Sequence, residues 1–182
     1  MQPSVLLLPG LFDSGPAHWQ RIWQRERGFG VVEQTEWATP RRHDWTAALE
    51  RAVAATSGAV ILCGHSTACA TIAFWAAETA FAARVRGVML VGPSDTEAAS
   101  YPDGPTGFAP MPRARLPFAS LVVTSSDDPY VSPARAREFA SNWGGELVDI
   151  GPAGHINAAS GHGPWPEGLA LLEPWLADQL SR

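Results

Sequence analysis

Three short runs of this chain are apolar without a polar interruption: Val5-Leu6-Leu7-Leu8, Ala59-Val60-Ile61-Leu62-Cys63 and Gly87-Val88-Met89-Leu90-Val91. A strand with one face in water alternates apolar and polar residues. A continuous run marks a strand buried on both faces, as in a parallel sheet covered by helices. Three more candidate strands, which do carry polar residues, are Val31–Thr35, Leu121–Thr124 and Glu146–Ile150. Between them lie helical patterns. Trp19 and Trp23 stand four apart. Trp45, Leu49, Ala52 and Val53 fit one face, with Asp44 available as a cap. Ala70–Ala83 is rich in alanine. Ser132-Pro133 opens another helix, and Trp165–Leu180 supplies the last. Strand–helix alternation of this kind predicts an open, doubly wound α/β sheet of about six mainly parallel strands.

The 182 residues suit one domain, 1–182, and 46% hydrophobic content with a net charge of −5 excludes disorder as the main state. No basic run is present, which argues against nucleic acid as partner. No apolar stretch nears membrane-spanning length, and Met1–Ser4 lacks the start of a secretory signal, so a cytoplasmic location is expected. All 13 basic residues are arginine, a coding bias that points to a bacterial source. Cys63 and Cys69 have no metal-type spacing and read as buried reduced thiols. No metal motif, dinucleotide fingerprint or phosphate loop occurs, so no cofactor is implied. Ser94–Pro117 has no periodicity and reads as a small flap or a disordered insertion.

Ligands of an open α/β sheet bind beyond the carboxyl ends of its strands. The polar residues there, in chain order, include Ser66, Asp128 and His155. Ser66 stands between a strand and a helix in Gly64-His65-Ser66-Thr67-Ala68, close to the Gly-x-Ser-x-Gly turn that lifts a serine hydroxyl clear of a sheet. Acyl-transfer chemistry needs these three residue types: Ser66 attacks, His155 takes its proton, and Asp128 orients the imidazole. Backbone N–H groups of Leu11 and Thr67 are placed to hold the oxyanion. Asp127 adjoins Asp128. Pro129 restricts only Asp128, which favours that residue as the acid, and leaves Asp127 as a turn residue or an acceptor within the loop. His18, His65 and Asn157 are candidates for the pocket wall. The other readings are a helix cap for His18 and support of the turn for His65. Trp19 reads as a core anchor.

Leu8-Pro9-Gly10-Leu11, Ser14-Gly15-Pro16, His18-Trp19-Gln20, Gly64-His65-Ser66, Asp127-Asp128-Pro129-Tyr130 and Gly154-His155-Ile156-Asn157-Ala158 together resemble small α/β hydrolases of the YdeN/retinoblastoma-binding-protein-9 type. The resemblance implies a three-layer α/β-hydrolase fold without a large cap domain, and Ser66, Asp128 and His155 as the triad. It departs at Ala68, where these proteins carry glycine. The expected function is hydrolysis of a small ester, thioester or amide through an acyl-enzyme on Ser66. The alternative is a weakly active or non-catalytic binding protein of the same fold.

Overall fold

The computed structural model describes residues 3–177. Six strands, β1 (Ser4–Leu8), β2 (Gly30–Val31), β3 (Val60–His65), β4 (Val85–Val91), β5 (Ala119–Thr124) and β6 (Glu146–Asp149), form one sheet in the order β2-β1-β3-β4-β5-β6. Every pairing is parallel. The helices are α1 (Trp19–Arg27), α2 (Arg42–Ala55), α3 (Thr67–Glu78), α4 (Pro133–Trp143) and α5 (Pro166–Ala177). The expected end of the last helix, at Leu180, lies outside the described residues.

Alternate side chains of each strand point to opposite faces. Leu6, Leu8, Leu62, Leu90 and Val122 pack against Trp45 of α2, Trp75 of α3 and Phe139 and Trp143 of α4. Leu7, Ile61, Cys63, Met89 and Val123 pack against Trp19 and Trp23 of α1 and Leu172 of α5. Both faces are therefore covered, which is why the central strands carry no polar alternation. Cys63 and Cys69 are free and buried. Burial pushes both thiols well above their ordinary pKa.

Several boundaries differ from the sequence pattern. β2 has two residues instead of five, because its pairing with β1 ends where the Val32 N–H donates to Leu7 O at 2.9 Å; Glu33, next along, is exposed and pairs with Arg21. Asp44 does not cap α2, whose N-cap is Arg41. Glu50 accepts hydrogen bonds from Trp75 Nε1 and Thr79 Oγ1, and so ties α2 to α3.

Ser94–Pro117 is an ordered segment. Phe108, Met111 and Leu116 enter the core beside α2 and α4. Trp143 Nε1 donates to Pro112 O at 2.9 Å, and Leu116 N–H to Trp143 O at 3.1 Å. Apolar anchors and backbone hydrogen bonds hold it in place of regular structure. Among the described residues no helix is long and apolar enough to cross a membrane.

Candidate active site

The chain builds the sheet outward from β1 to β2, then crosses back to place β3 on the other side of β1. The loops after β1 and β3 therefore leave in opposite directions, and a crevice opens between them. A cavity of about 190 Å³ lies there, lined by Leu11, His18, His65, Ser66, Thr67, His155 and Asn157 among others. Of the eight candidate catalytic, oxyanion and pocket residues, seven thus line one cavity. The eighth, Asp128, sits behind His155.

Ser66 links β3 to α3 with φ 59° and ψ −128°. A non-glycine residue in that region is strained, and here the strain turns the hydroxyl out of the sheet at the N-terminus of a helix. The turn is kept with Ala68 in the fifth position; its methyl is buried in the core. The approach of the β1 loop demands a glycine. A Cβ at Gly10 would stand 2.8 Å from Ser66 Cβ and 3.0 Å from His65 O. Leu11 follows directly, so its amide lies beside the serine turn. Neither the Leu11 nor the Thr67 N–H meets an acceptor among the described residues.

His155 Nδ1 faces both oxygens of Asp128, at 3.0 and 2.9 Å. The Asp128 carboxylate is buried, so this is a close pair in a low-dielectric setting. Asp128 Oδ1 also accepts the Tyr130 N–H at 2.9 Å, and the Tyr130 ring meets the imidazole edge-on at 4.5 Å. Room for the pair comes from Gly92, whose φ is +52°; a Cβ there would press on Asp128 Oδ2 at 3.2 Å and His155 Nδ1 at 3.4 Å.

The loop carrying His155 is held by its backbone. His65 Nε2–H donates to His155 O at 2.9 Å, and Trp19 Nε1–H to Ile156 O at 2.8 Å. Asp127 accepts the Gly154 N–H at 2.8 Å and the Ser125 hydroxyl at 2.7 Å. These bonds, from Ser125 first, hold its carboxyl below the usual range. Of two neighbouring acids, one therefore meets the imidazole and the other the imidazole's loop. Asp95 is turned away, forked onto Arg135 at 2.9 and 3.1 Å.

His18, His65 and His155 lie in a row, with ring centroids 4.9 and 4.7 Å apart. His18 caps α1: its Nδ1 accepts the Gln20 N–H at 3.2 Å, which leaves the proton on Nε2. Burial, then the neighbouring His155, lowers its pKa to about 4. Burial holds His65 well below its ordinary value too. His18 thus both caps the helix and lines the cavity. Asn157 Oδ1 caps the Ala158–Ser160 turn by accepting the Ser160 N–H at 3.0 Å, with the residue at the cavity rim. His162 contacts Ser160 Oγ, away from the cavity. Trp19 is wholly buried and does not reach it.

Three further residues join the site, although the sequence pattern assigned them no role. Ser94 Oγ lies 2.9 Å from Ser66 Oγ, Tyr101 Oη bonds Thr67 Oγ1 at 3.0 Å, and both line the cavity, as does Tyr130. Ser94 was visible as a polar residue soon after a strand. Tyr101 carried no signal, since it sits inside the unpatterned segment.

A family profile described as serine hydrolase matches residues 5–174. A YdeN-like hydrolase from Pectobacterium atrosepticum is 33% identical, with a TM-score of 0.85 over 97% of this chain and 91% of that one. The ydeN gene product of B. subtilis is 17% identical, with a TM-score of 0.72 over 96% and 99%. Esterase 2 of Thermogutta terrifontis is 17% identical, with a TM-score of 0.67 over 97% and 83%. Comparison with curated protein sequences gives no match. The last two likenesses show the fold alone, the α/β-hydrolase fold. The profile, spanning nearly the whole chain, and the Pectobacterium likeness go further: this chain belongs to the serine hydrolase family and is a small, YdeN-like hydrolase.

Proposed function

We propose that the chain is a cytoplasmic, carboxylesterase-like serine hydrolase. It would cleave a small ester, thioester or amide through an acyl-enzyme on Ser66. The observation that carries this reading is the Asp128–His155 pair, at 2.9 and 3.0 Å, beside a serine in a strained strand-to-helix turn. Asp128 holds the proton of His155 on Nδ1, so Nε2 is the free base. His155 takes the Ser66 proton as Oγ bonds to the substrate carbonyl carbon. The oxyanion that forms is met by the Leu11 and Thr67 amides, which have no competing acceptor among the described residues. His155 then protonates the leaving group. Water enters, gives its proton to His155 and releases the acyl group. The neutral His18 and His65 beside it do not repel the transient imidazolium.

A cavity of about 190 Å³ suits a small acyl substrate; sites for drug-sized ligands run to roughly 300–1,000 Å³. Two buried free thiols fit a reducing compartment. The test is labelling by a fluorophosphonate probe, with hydrolysis of short p-nitrophenyl esters alongside. Wild-type protein should label and turn over, and Ser66→Ala should do neither while keeping its fold. Labelling that persists, or moves to Ser94 or Ser126, would overturn the assignment. A wild-type protein that folds but neither labels nor turns over would instead be the binding protein of the alternative reading.

A further inference from the structure

The Ser66 hydroxyl has one hydrogen-bond partner among the described residues. It is Ser94 Oγ, at 2.9 Å, and not the imidazole of His155. Ser94 is buried and faces the same cavity. Its position is set from both sides. Before it, the Ser66 N–H donates to Val91 O at 3.0 Å, which joins the serine turn to the end of β4. After it, the Asp95 N–H donates to Tyr130 O at 3.0 Å, while Arg135 grips the Asp95 carboxylate. Ser94 therefore sits on a braced span between the Ser66 turn and the segment that carries Asp128.

With both hydroxyls free, either serine can donate to the other. Once Ser66 Oγ carries an acyl group it has no proton, and the donor can only be Ser94. We propose that Ser94 is a further catalytic residue: its O–H donates to Ser66 Oγ as the bond between Oγ and the acyl carbon forms and breaks. This rests on Ser66 being the nucleophile. In acylation the Ser66 proton passes to His155 Nε2 while Oγ bonds to carbon, and Oγ gains negative charge as its proton leaves. In deacylation water adds to the acyl carbon and its proton goes to His155. The carbon–Oγ bond then breaks, its electron pair stays on Oγ, and His155 returns a proton to that oxygen. Ser94 keeps its own proton throughout. Hydrogen bonds to charged oxygens are stronger than those to neutral ones. The Ser94 bond is therefore worth more in both transition states than in the resting protein or the acyl-enzyme, which is the condition for lowering a barrier.

The experiment is stopped-flow hydrolysis of p-nitrophenyl acetate by wild type, Ser94→Ala, Ser94→Thr and Ser66→Ala. The burst reports acylation and the steady state reports deacylation. Ser94→Ala should lower both rate constants about tenfold, as expected for one lost neutral donor. KM for the substrate and the melting temperature should stay close to wild type. Ser94→Thr, which keeps the hydroxyl, should recover most of the loss. The proposal is overturned if Ser94→Ala stays within twofold of wild type in both phases. It is equally overturned if threonine and alanine are impaired alike, since the loss then comes from packing. Turnover surviving in Ser66→Ala would bring down the nucleophile assignment itself, an outcome distinct from a silent Ser94→Ala on an active wild type.

Discussion

Lowering the pH should destabilise this protein through His18. The imidazole is buried at the start of α1, with its Nδ1 accepting a backbone N–H and its ring against His65. Desolvation and the neighbouring His155 bring its pKa to about 4, against 6.5 unperturbed. Asp13 opposes that shift, while Arg21 and His162 add to it. Between the two values the unfolded chain binds a proton that the folded chain does not. Stability therefore falls as pH falls through this window. From pH 7.5 to pH 5 the linkage comes to about 2 kcal/mol for His18 alone. His65 is depressed in the same direction and adds to the loss. Small domains have only about 5–15 kcal/mol in total, so the effect is large. Urea unfolding of wild type and His18→Asn at both pH values measures it. Asparagine keeps an acceptor for the Gln20 N–H, and the difference between the two pH values, rather than absolute stability, is the quantity read. The variant should lose about 2 kcal/mol less than wild type on acidification. Equal losses in both proteins would rule out His18 as the source of the acid sensitivity.

Asp128→Asn should lower the acylation rate by about three orders of magnitude or more, because the imidazole would settle in the wrong tautomer. Asp127→Asn should cost less than about tenfold, since an amide oxygen can still accept the Gly154 N–H; single-turnover kinetics of both variants would show a reversal if the acids are misassigned. Ala68→Gly should leave esterase activity equal or higher and reduce stability by roughly 1 kcal/mol, through chain entropy and a lost buried methyl; a large loss of activity in a p-nitrophenyl ester assay would make that methyl part of the site. Acetyl and butyryl esters should be cleaved with higher kcat/KM than octanoyl or longer ones, because the cavity holds only about 190 Å³. A rising kcat/KM with chain length would contradict the small volume of the cavity.

The strands were legible because burial on both faces leaves a direct mark on composition. Val60–Cys63 and Val88–Val91 carry no polar residue, and such runs have few other uses. A parallel sheet in turn implies that chemistry gathers past the carboxyl ends of its strands, so Ser66, Asp128 and His155 could be named from position and residue type. Pro129 helped to separate Asp128 from Asp127, through a restriction that acts on the adjacent residue alone. Less was legible at the margins. The pattern gave β2 five residues, but its length depends on how far β1 offers free partners. Ser94–Pro117 lacks periodicity because it is held by Phe108, Met111 and Leu116 in gaps between helices, and no local repeat encodes such gaps.

Local spacing and the two-residue period of a strand settle which residues are buried and which polar residues stand at strand ends. Which of those residues meet is set by how distant segments pack together. Ser94 on Ser66, Asp127 on the Gly154 amide, His65 on the His155 carbonyl and Glu50 on Trp75 are contacts between segments 25 or more residues apart. A periodic pattern says which face of an element is apolar; the partner across that face depends on strand order and on the crossover between β2 and β3, which no single segment specifies.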